Sequence, residues 1–135
     1  MSGEREQDLA VTLFPQTDNV IRHTIFRPAS TLRVMTLNLA HGRSNGAHQL
    51  IQSRERIIEN LDAVAEVIRR VDPDIVALQE ADAPSAWSGR FSHVDYLARN
   101  ANFKCAVQGE HVKGLRLSYG TALISQFSLE DACSY

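Results

Sequence analysis

The sequence predicts a mixed α/β domain, and a strand-helix-strand pattern over residues 33–80 carries this prediction. Residues 33–39 form a mostly apolar run, which is typical of a strand buried on both faces. Residues 53–71 place apolar side chains at helical spacing, and residues 74–80 form a second apolar strand. Such a unit closes as a right-handed crossover with parallel strands, so we expect both carboxyl ends at one edge of the sheet.

Size and composition limit the classes of function. The chain has 135 residues, 44% of them hydrophobic, which favours one domain with one core. Its formal charge of −2 gives no general attraction to a polyanion such as DNA. The amino terminus lacks the pattern of a secretory signal, and the apolar runs are far shorter than the roughly 20 residues that cross a bilayer. We therefore expect no transmembrane segment.

The chain contains two cysteines, Cys105 and Cys133, which are far apart and belong to no Cys-x-x-Cys pair. Cys105 lies in a strand-like run, so we expect a buried packing thiol rather than a reactive one. This usage favours a reducing, cytoplasmic setting.

The amino-terminal segment differs from the rest of the chain. Residues 1–31 show little periodicity and are interrupted by Pro15 and Pro28, which predicts a leader with one edge strand. We assign residues 32–135 to the domain proper.

The helix over residues 53–71 has a cause at each boundary. Ser53 can cap its start, and Asp72-Pro73 ends it because proline disfavours helical geometry in the preceding residue. The predicted inward side chains are Ile57, Ile58, Leu61, Val64, Ala65 and Ile68.

The second half of the chain predicts more loops. Residues 81–90 predict a loop, and residues 91–102 predict a short helix with Val94, Leu97 and Ala98 inward. Two further strands are expected over residues 103–107 and 119–125, joined by a looser segment.

Asn38 and Glu80 are polar residues at the carboxyl ends of the two apolar strands, where sheets of this kind form ligand sites. If the strands are neighbours, the amide oxygen and the carboxylate can converge on one hard cation. Magnesium prefers oxygen ligands and typically takes one or two carboxylates from a protein. The alternative from the pattern alone is that Asn38 caps a turn and Glu80 is solvated.

Three segments resemble, in order and spacing, the first motifs of the endonuclease/exonuclease/phosphatase superfamily. They are Met-Thr-Leu-Asn-Leu-Ala-His-Gly at 35–42, Pro-Asp-Ile-Val-Ala-Leu-Gln-Glu at 73–80 and Tyr-Gly-Thr-Ala-Leu-Ile-Ser at 119–125, and the likeness covers roughly residues 32–127. The resemblance implies a partial four-layer α/β sandwich like that of deoxyribonuclease I, incomplete at the carboxyl end. It also implies a magnesium-dependent phosphoester hydrolase, with Mn²⁺ as an alternative ion.

By the same resemblance Asn38 and Glu80 bind the catalytic metal, and Glu80 is the catalytic residue we expect to recognise in this chain. Thr121 departs from the Gly-Asn-Ala that the third motif often has, and it receives no catalytic role. His41 follows Asn38 by three residues and could bind a substrate phosphate; the alternative is a histidine that fixes the turn.

For other polar and aromatic residues we expect structural roles rather than roles in the site. Trp87 and Arg90 follow Glu80 in the loop, where a lone Trp more often covers the core than stacks on a substrate. Surface or packing positions are expected for Arg43, His48, His93 and His111. No P-loop, dinucleotide-binding or His-Glu-x-x-His motif is present.

The later family motifs, Asp-x-Asn and a terminal Asp-His pair, do not occur in the sequence. We therefore expect a truncated, inactive fragment of a hydrolase. The alternative is a non-catalytic binding or assembly module that retains half of the fold and self-associates through an uncovered apolar face. The substrate class stays open among nucleic acids, phospholipid head groups and inositol phosphates, although the segment 79–97 looks like bacterial members grouped near the sphingomyelinases.

Overall fold

The computed structural model describes residues 7–16, 30–40, 53–82, 84, 91–113 and 118–134. These described residues form seven strands and two helices. They are β1 Gln7–Asp8, β2 Val11–Leu13, β3 Val34–Asn38, α1 Arg54–Val71, β4 Ile75–Asp82, α2 His93–Asn100, β5 Cys105–Lys113, β6 Ser118–Ser125 and β7 Cys133–Ser134. Neither helix of the described residues is long and apolar enough to span a membrane.

Five strands form one mixed sheet in the order β2-β5-β6-β4-β3, and β1 pairs with β7 in a separate antiparallel ribbon. β3 and β4 are parallel, as the strand-helix-strand pattern predicted, whereas the other pairs of the large sheet are antiparallel. The mixed α/β fold class is therefore confirmed, and the arrangement is consistent with the partial deoxyribonuclease I-like fold that the resemblance implies. β2 lies at one edge of the sheet, within the segment where the sequence predicts an edge strand; the domain boundary at residue 32 stays a prediction.

The boundaries of α1 follow the predicted caps. The Ser53 hydroxyl oxygen accepts a hydrogen bond from the Arg56 backbone N–H at 3.3 Å, which satisfies one of the donors that every helix start leaves open. At the other end Asp72 adopts a left-handed conformation with φ of 49°, and its N–H donates to the Ile68 carbonyl. The inner stripe is buried at Ile57, Leu61, Ala65 and Ile68, as expected.

The short helix α2 also lies where the sequence predicts it. The Ser92 side chain caps its start by accepting from the Asp95 N–H at 3.1 Å. Its inward residues are Val94, Leu97 and Ala98, and all three are buried. α2 is tied to α1 at two points: the Tyr96 hydroxyl donates to Asp62 Oδ1 at 2.6 Å, and the Arg69 guanidinium donates to the Asn100 carbonyl at 2.6 Å.

The two faces of the sheet are packed differently. The helix-covered face carries the side chains in register with Leu78, and it forms the core together with α1 and α2. The open face carries the side chains in register with Ala77, and those at its β3 edge are exposed. The fully buried large side chains of the core are Phe103, Ile57, Leu61, Ile68, Leu78, Leu97 and Ile124.

Two predictions about the strands were wrong. β3 is half-buried on one face and exposed on the other, because it lies at the edge of the sheet; its Val34 side chain on the open face is 60% exposed. A continuous apolar run does not by itself distinguish burial on one face from burial on two. The looser segment expected from residue 108 is instead strand as far as Lys113, because the ladder with β6 continues through Gly109, which stands opposite Thr121.

Candidate metal site

Asn38 and Glu80 contact each other directly at the carboxyl ends of β3 and β4. The Asn38 side-chain N–H donates to Glu80 Oε1 at 2.9 Å, across a separation of 42 positions in the chain. The amide and the acid therefore meet at one edge of the sheet, while their binding of a metal ion stays a prediction. Asn38 is exposed and Glu80 is half-buried, so the pair lies at a surface that an ion could reach.

A β-bulge in β4 makes this contact possible. Leu78 pairs with Ala122 and Ala81 pairs with Gly120, so Gln79 and Glu80 together stand opposite the single residue of β6 between them. In a regular strand, side chains alternate between the two faces, and Glu80 would share the helix-covered face with Leu78. The extra residue changes the alternation and re-aims the Glu80 side chain toward Asn38.

Without the bulge the two predicted site residues would lie on opposite faces. Asn38 is in register with Gln79, and Leu37 with Leu78, so Asn38 belongs to the open face. A regular continuation of β4 would send the Glu80 carboxylate into the core instead, where an unpaired charge is strongly unfavourable. Burial of the neighbouring apolar residues therefore favours the bulged register.

The backbone on both sides of the site is left-handed at residues other than glycine. Glu80 has φ of 51° and Ala40 has φ of 44°. Such conformations cost on the order of 1 kcal/mol or more each and persist where the surrounding structure enforces them. At Ala40 a local hydrogen bond contributes, because the Ala40 N–H donates to Asn38 Oδ1 at 2.8 Å.

This last bond means that Asn38 does cap a turn, which was the alternative interpretation from its sequence position. The same side chain uses its oxygen for the turn and its nitrogen for Glu80. Asn38 therefore caps a turn and contacts Glu80 at once, and the turn fixes the orientation of the amide that meets the carboxylate. Its role as a metal ligand stays a prediction.

Two glutamine side chains contact the segment around the bulge. The Gln79 amide donates to the Thr36 hydroxyl at 3.0 Å, on the open face beside Asn38. The Gln108 amide, which comes from β5, donates to the Ala81 carbonyl at 3.0 Å. The segment that carries Glu80 is thus bonded to Thr36 of the neighbouring strand β3 and to Gln108 of β5, which lies beyond β6.

Sequence reasoning missed a second polar pair close to the bulge. Asp82 at the end of β4 is 1% exposed and His93 at the start of α2 is fully buried, with 4.0 Å between Asp82 Oδ2 and His93 Nδ1. The Phe91 ring packs beside the imidazole, with centroids 5.2 Å apart. His93 is a packing residue, as expected, but its acidic neighbour was not. The signal in the sequence was Asp82, an acidic residue two positions beyond Glu80 at the end of a mostly apolar strand.

The chemistry of the donors fits a hard cation. The pair offers one carboxylate and the second lone pair of Asn38 Oδ1, which the Ala40 N–H leaves open. Mg²⁺ commonly binds with one or two protein carboxylates while it keeps several waters. Within the part of the chain that the structure describes, no group of three or more His, Cys, Asp or Glu side chains could hold a metal ion. The Asn38–Glu80 pair would therefore leave most coordination positions to water and to substrate oxygens.

Several predicted residues lie outside the described residues. They include His41, for which a substrate contact is expected, and the loop residues Arg43, His48, Trp87 and Arg90. Thr121 is described, is exposed and stands opposite the bulged residues of β4.

Cys105 is a buried thiol, as the sequence predicts. Its Sγ donates to the Phe127 carbonyl at 2.9 Å. Burial raises the pKa of this thiol, although a backbone hydrogen bond at Leu129 and the Lys104 charge act in the opposite direction. A thiol with a raised pKa forms little thiolate, so it is poorly suited to nucleophilic chemistry.

Comparison with known proteins identifies a family for this chain. The model of the Endonuclease/Exonuclease/phosphatase family matches residues 35–134, a range that includes α1, both site residues and β3 from Met35 onward. No curated protein matches the chain significantly, and no solved structure does.

Proposed function

Since the chain belongs to the endonuclease/exonuclease/phosphatase family, we propose that it supplies the magnesium-binding part of a phosphoester-hydrolase site. Members of this family are generally phosphoester hydrolases, which makes a hydrolase parent the expected class. The single observation that supports the metal role is the contact between Asn38 and Glu80 at the carboxyl edge of the parallel strand pair.

Asn38 and Glu80 would hold the ion, with Mg²⁺ as the first choice and Mn²⁺ as the alternative. When bound, the ion would polarise a phosphoryl oxygen and lower the pKa of a coordinated water. Glu80 supplies the negative charge that attracts the cation, and the Asn38 N–H orients the carboxylate. His41, three residues beyond Asn38, is proposed to bind a phosphate oxygen of the substrate.

The position of the pair suits a substrate that carries negative charge. Both side chains lie at the rim of the open face, where Asn38 is exposed to solvent. A phosphoester could therefore approach the ion from solvent without entering the core. The general base is assigned to none of the described residues.

Metal binding by the chain itself gives the most direct test. We expect Mn²⁺ titration, followed by electron paramagnetic resonance, to detect a site in the wild type that Glu80→Gln weakens at least about tenfold, because the substitution removes the only carboxylate of the pair. Glu59→Gln is the matched control, since Glu59 is exposed on α1. Equal Mn²⁺ affinity in the wild type and Glu80→Gln would contradict the proposal.

The substrate class needs a separate experiment. The proposed substrates are nucleic acids, phospholipid head groups of the sphingomyelin type and inositol phosphates, and the formal charge of −2 disfavours duplex DNA slightly. A panel of these phosphoesters, with magnesium and with chelator, compares the wild type with Glu80→Ala. Hydrolysis that survives both chelation and the substitution would rule out a metal-dependent reaction at Glu80.

A second candidate function is supported by the open face of the sheet. Leu13 is 75% exposed and Val34 is 60% exposed, and both are in register with the open-face residues of their neighbouring strands. A cavity of about 320 Å³ on this face is lined by residues that include Leu9, Ala77 and Leu123. Exposed apolar surface of this kind is typical of interaction sites. The alternative is therefore a non-catalytic assembly module that self-associates through this face.

Solution behaviour separates the two functions. If the open face mediates association, sedimentation of the wild type should show concentration-dependent oligomers that Leu13→Lys with Val34→Lys abolishes. Val67→Lys is the control, because Val67 is 38% exposed but lies on α1. A monomer at all concentrations, or equal effects of both sets of lysines, would contradict assembly through the open face.

We also propose a reducing, cytoplasmic location, which rests on the presence of only two cysteines that are distant in sequence. Cell fractionation tests this: recovery of the protein in an oxidising compartment would overturn it.

A further inference from the structure

We propose that Gln108 is a positioning residue that holds the bulge of β4 in place and, through it, the contact between Glu80 and Asn38. The consequence for the metal rests on the proposed function, whereas the effect on the Asn38–Glu80 contact does not. Gln108 belongs to β5 and touches neither site residue in any of the described hydrogen bonds, so its role would be indirect.

The bond from Gln108 reaches the residue directly after Glu80. Its side-chain N–H donates to the Ala81 carbonyl at 3.0 Å. Because Ala81 closes the bulge and restores pairing with Gly120, its position determines where the extra residue of β4 is accommodated. A hydrogen bond at this carbonyl therefore acts on the backbone that carries Glu80.

The side chain of Gln108 must cross β6 to make this contact. Gln108 pairs with Ala122 on β6, and Ala81 pairs with Gly120 on the other edge of the same strand. Alternate strands of a sheet lie about 9–10 Å apart, so the contact needs a long side chain above small neighbours. Ala122 and Gly120 are small, and the missing side chain of Gly120 leaves space beside Ala81.

A bulge needs support of this kind because it interrupts the ladder of backbone hydrogen bonds. A one-residue shift of pairing moves every following side chain to the other face. If the bulge were lost between Leu78 and Ala81, Glu80 would return to the helix-covered face and move away from Asn38. Gln108 stabilises the bulged register from the β5 side, and the Gln79–Thr36 bond stabilises it from the β3 side.

The chain offers a matched control for Gln108. Gln126 is also half-buried, and its side-chain amide also donates to a backbone carbonyl, that of Asn102, at 2.9 Å. Gln108→Met and Gln126→Met each remove one such bond while the length of the side chain is kept. A general loss of stability should affect both variants, whereas loss of positioning should affect Gln108→Met alone.

The first measurement needs no metal. Nuclear magnetic resonance of the full 135-residue chain should resolve the side-chain amide protons of Asn38, one of which is bonded to Glu80. Glu80→Ala provides the spectrum of the broken contact. We expect Gln108→Met to shift the Asn38 signals toward that spectrum and Gln126→Met to leave them unchanged. Unchanged Asn38 signals in folded Gln108→Met would overturn the positioning role, whatever the protein does with metal.

The second measurement connects positioning with the proposed site. If the wild type binds Mn²⁺ through Glu80, Gln108→Met should weaken binding about 10-fold or more, as loss of a supporting contact commonly does, and Gln126→Met should not. If the wild type shows no Mn²⁺ binding that depends on Glu80, the proposed function is wrong. The nuclear magnetic resonance comparison then still decides whether Gln108 positions Glu80. If Gln108→Met does not fold, Gln108→Asn, which shortens the reach by one methylene, gives the same comparison.

Discussion

The two faces of the central sheet differ in how they are completed. On the helix-covered face, α1 and α2 close a core in which Leu78 and Ile124 are fully buried. On the open face, Ala77 and Leu123 are only half-buried and Val34 is exposed. The helix-covered face consists mainly of apolar strand residues, whereas the open face also carries polar ones such as Thr36, Gln79 and Thr121, so the two faces differ in composition as well as in what packs on them.

The comparison also shows where chemistry is possible. A closed face excludes water and would penalise an unpaired carboxylate, whereas the rim of the open face leaves room for an ion and a phosphate. The bulge in β4 transfers Glu80 from the first environment to the second. The single extra residue of the bulge therefore decides whether the Glu80 carboxylate would be an unpaired charge in the core or a candidate metal ligand at the surface.

The largest expected effect compares one leucine from each face. Leu78→Ala should lower the free energy of unfolding by about 2–5 kcal/mol, because the side chain is fully buried and its removal leaves a cavity. Leu13→Ala on the open face should cost less than about 1 kcal/mol, since Leu13 is 75% exposed. Urea denaturation followed by circular dichroism measures both values. Similar losses for the two leucines would show that the open face is covered in solution.

An intermediate effect is expected at the buried pair of Asp82 and His93, which is polar although it lies between β4 and α2. Asp82→Ala should destabilise the chain by about 1–3 kcal/mol, because it removes an acidic neighbour from a buried imidazole. Thermal denaturation tests this, with the exposed Glu130→Ala as the control. An unchanged melting temperature would mean that the pair contributes nothing to the closure of the helix-covered face.

Much of this fold could be predicted, because its signals are local. Ser53 and Asp72 cap α1, and the spacing of Ile57 and Leu61 fixes the buried side of the helix. The exposure of β3 could not be predicted, because an apolar run reports hydrophobicity and not which elements pack on it.

The candidate site was predictable in part. The strand-end positions of Asn38 and Glu80 indicated the shared edge, but no glycine signals the bulge, and Glu80 itself adopts positive φ. The alternation of side chains along β4 could have indicated the bulge. Val76 and Leu78 face the core, so Glu80 would also face it in a regular strand, and an acidic residue there requires a change of register. The roles of Gln108 and Asp82 depend on contacts between distant segments, which a sequence pattern does not contain.

The smallest expected effect tests whether burial, and not polar contact, holds the helix layer together. Tyr96→Phe removes the hydrogen bond to Asp62 but keeps the ring packed edge-on against Phe91, so it should cost about 0.5–1.5 kcal/mol at neutral pH. A loss as large as that of Leu78→Ala would contradict the comparison, because it would make one partly exposed bond equal to a buried core side chain.

The pH dependence of the same substitution sharpens this test. Burial, together with donation to Asp62, raises the pKa of Tyr96 from its ordinary value of 10.0 to about 12. Because the folded-state pKa is the higher one, the contribution is fully present below pH 10 and is lost as the pH rises through about 12. Urea denaturation of the wild type and Tyr96→Phe at several pH values should therefore give a stability difference that is constant up to pH 10 and shrinks above it. Titrations of other groups cancel in this difference, so a gap that persists past pH 12 would mean that the hydroxyl is not the group that stabilises the contact between α1 and α2.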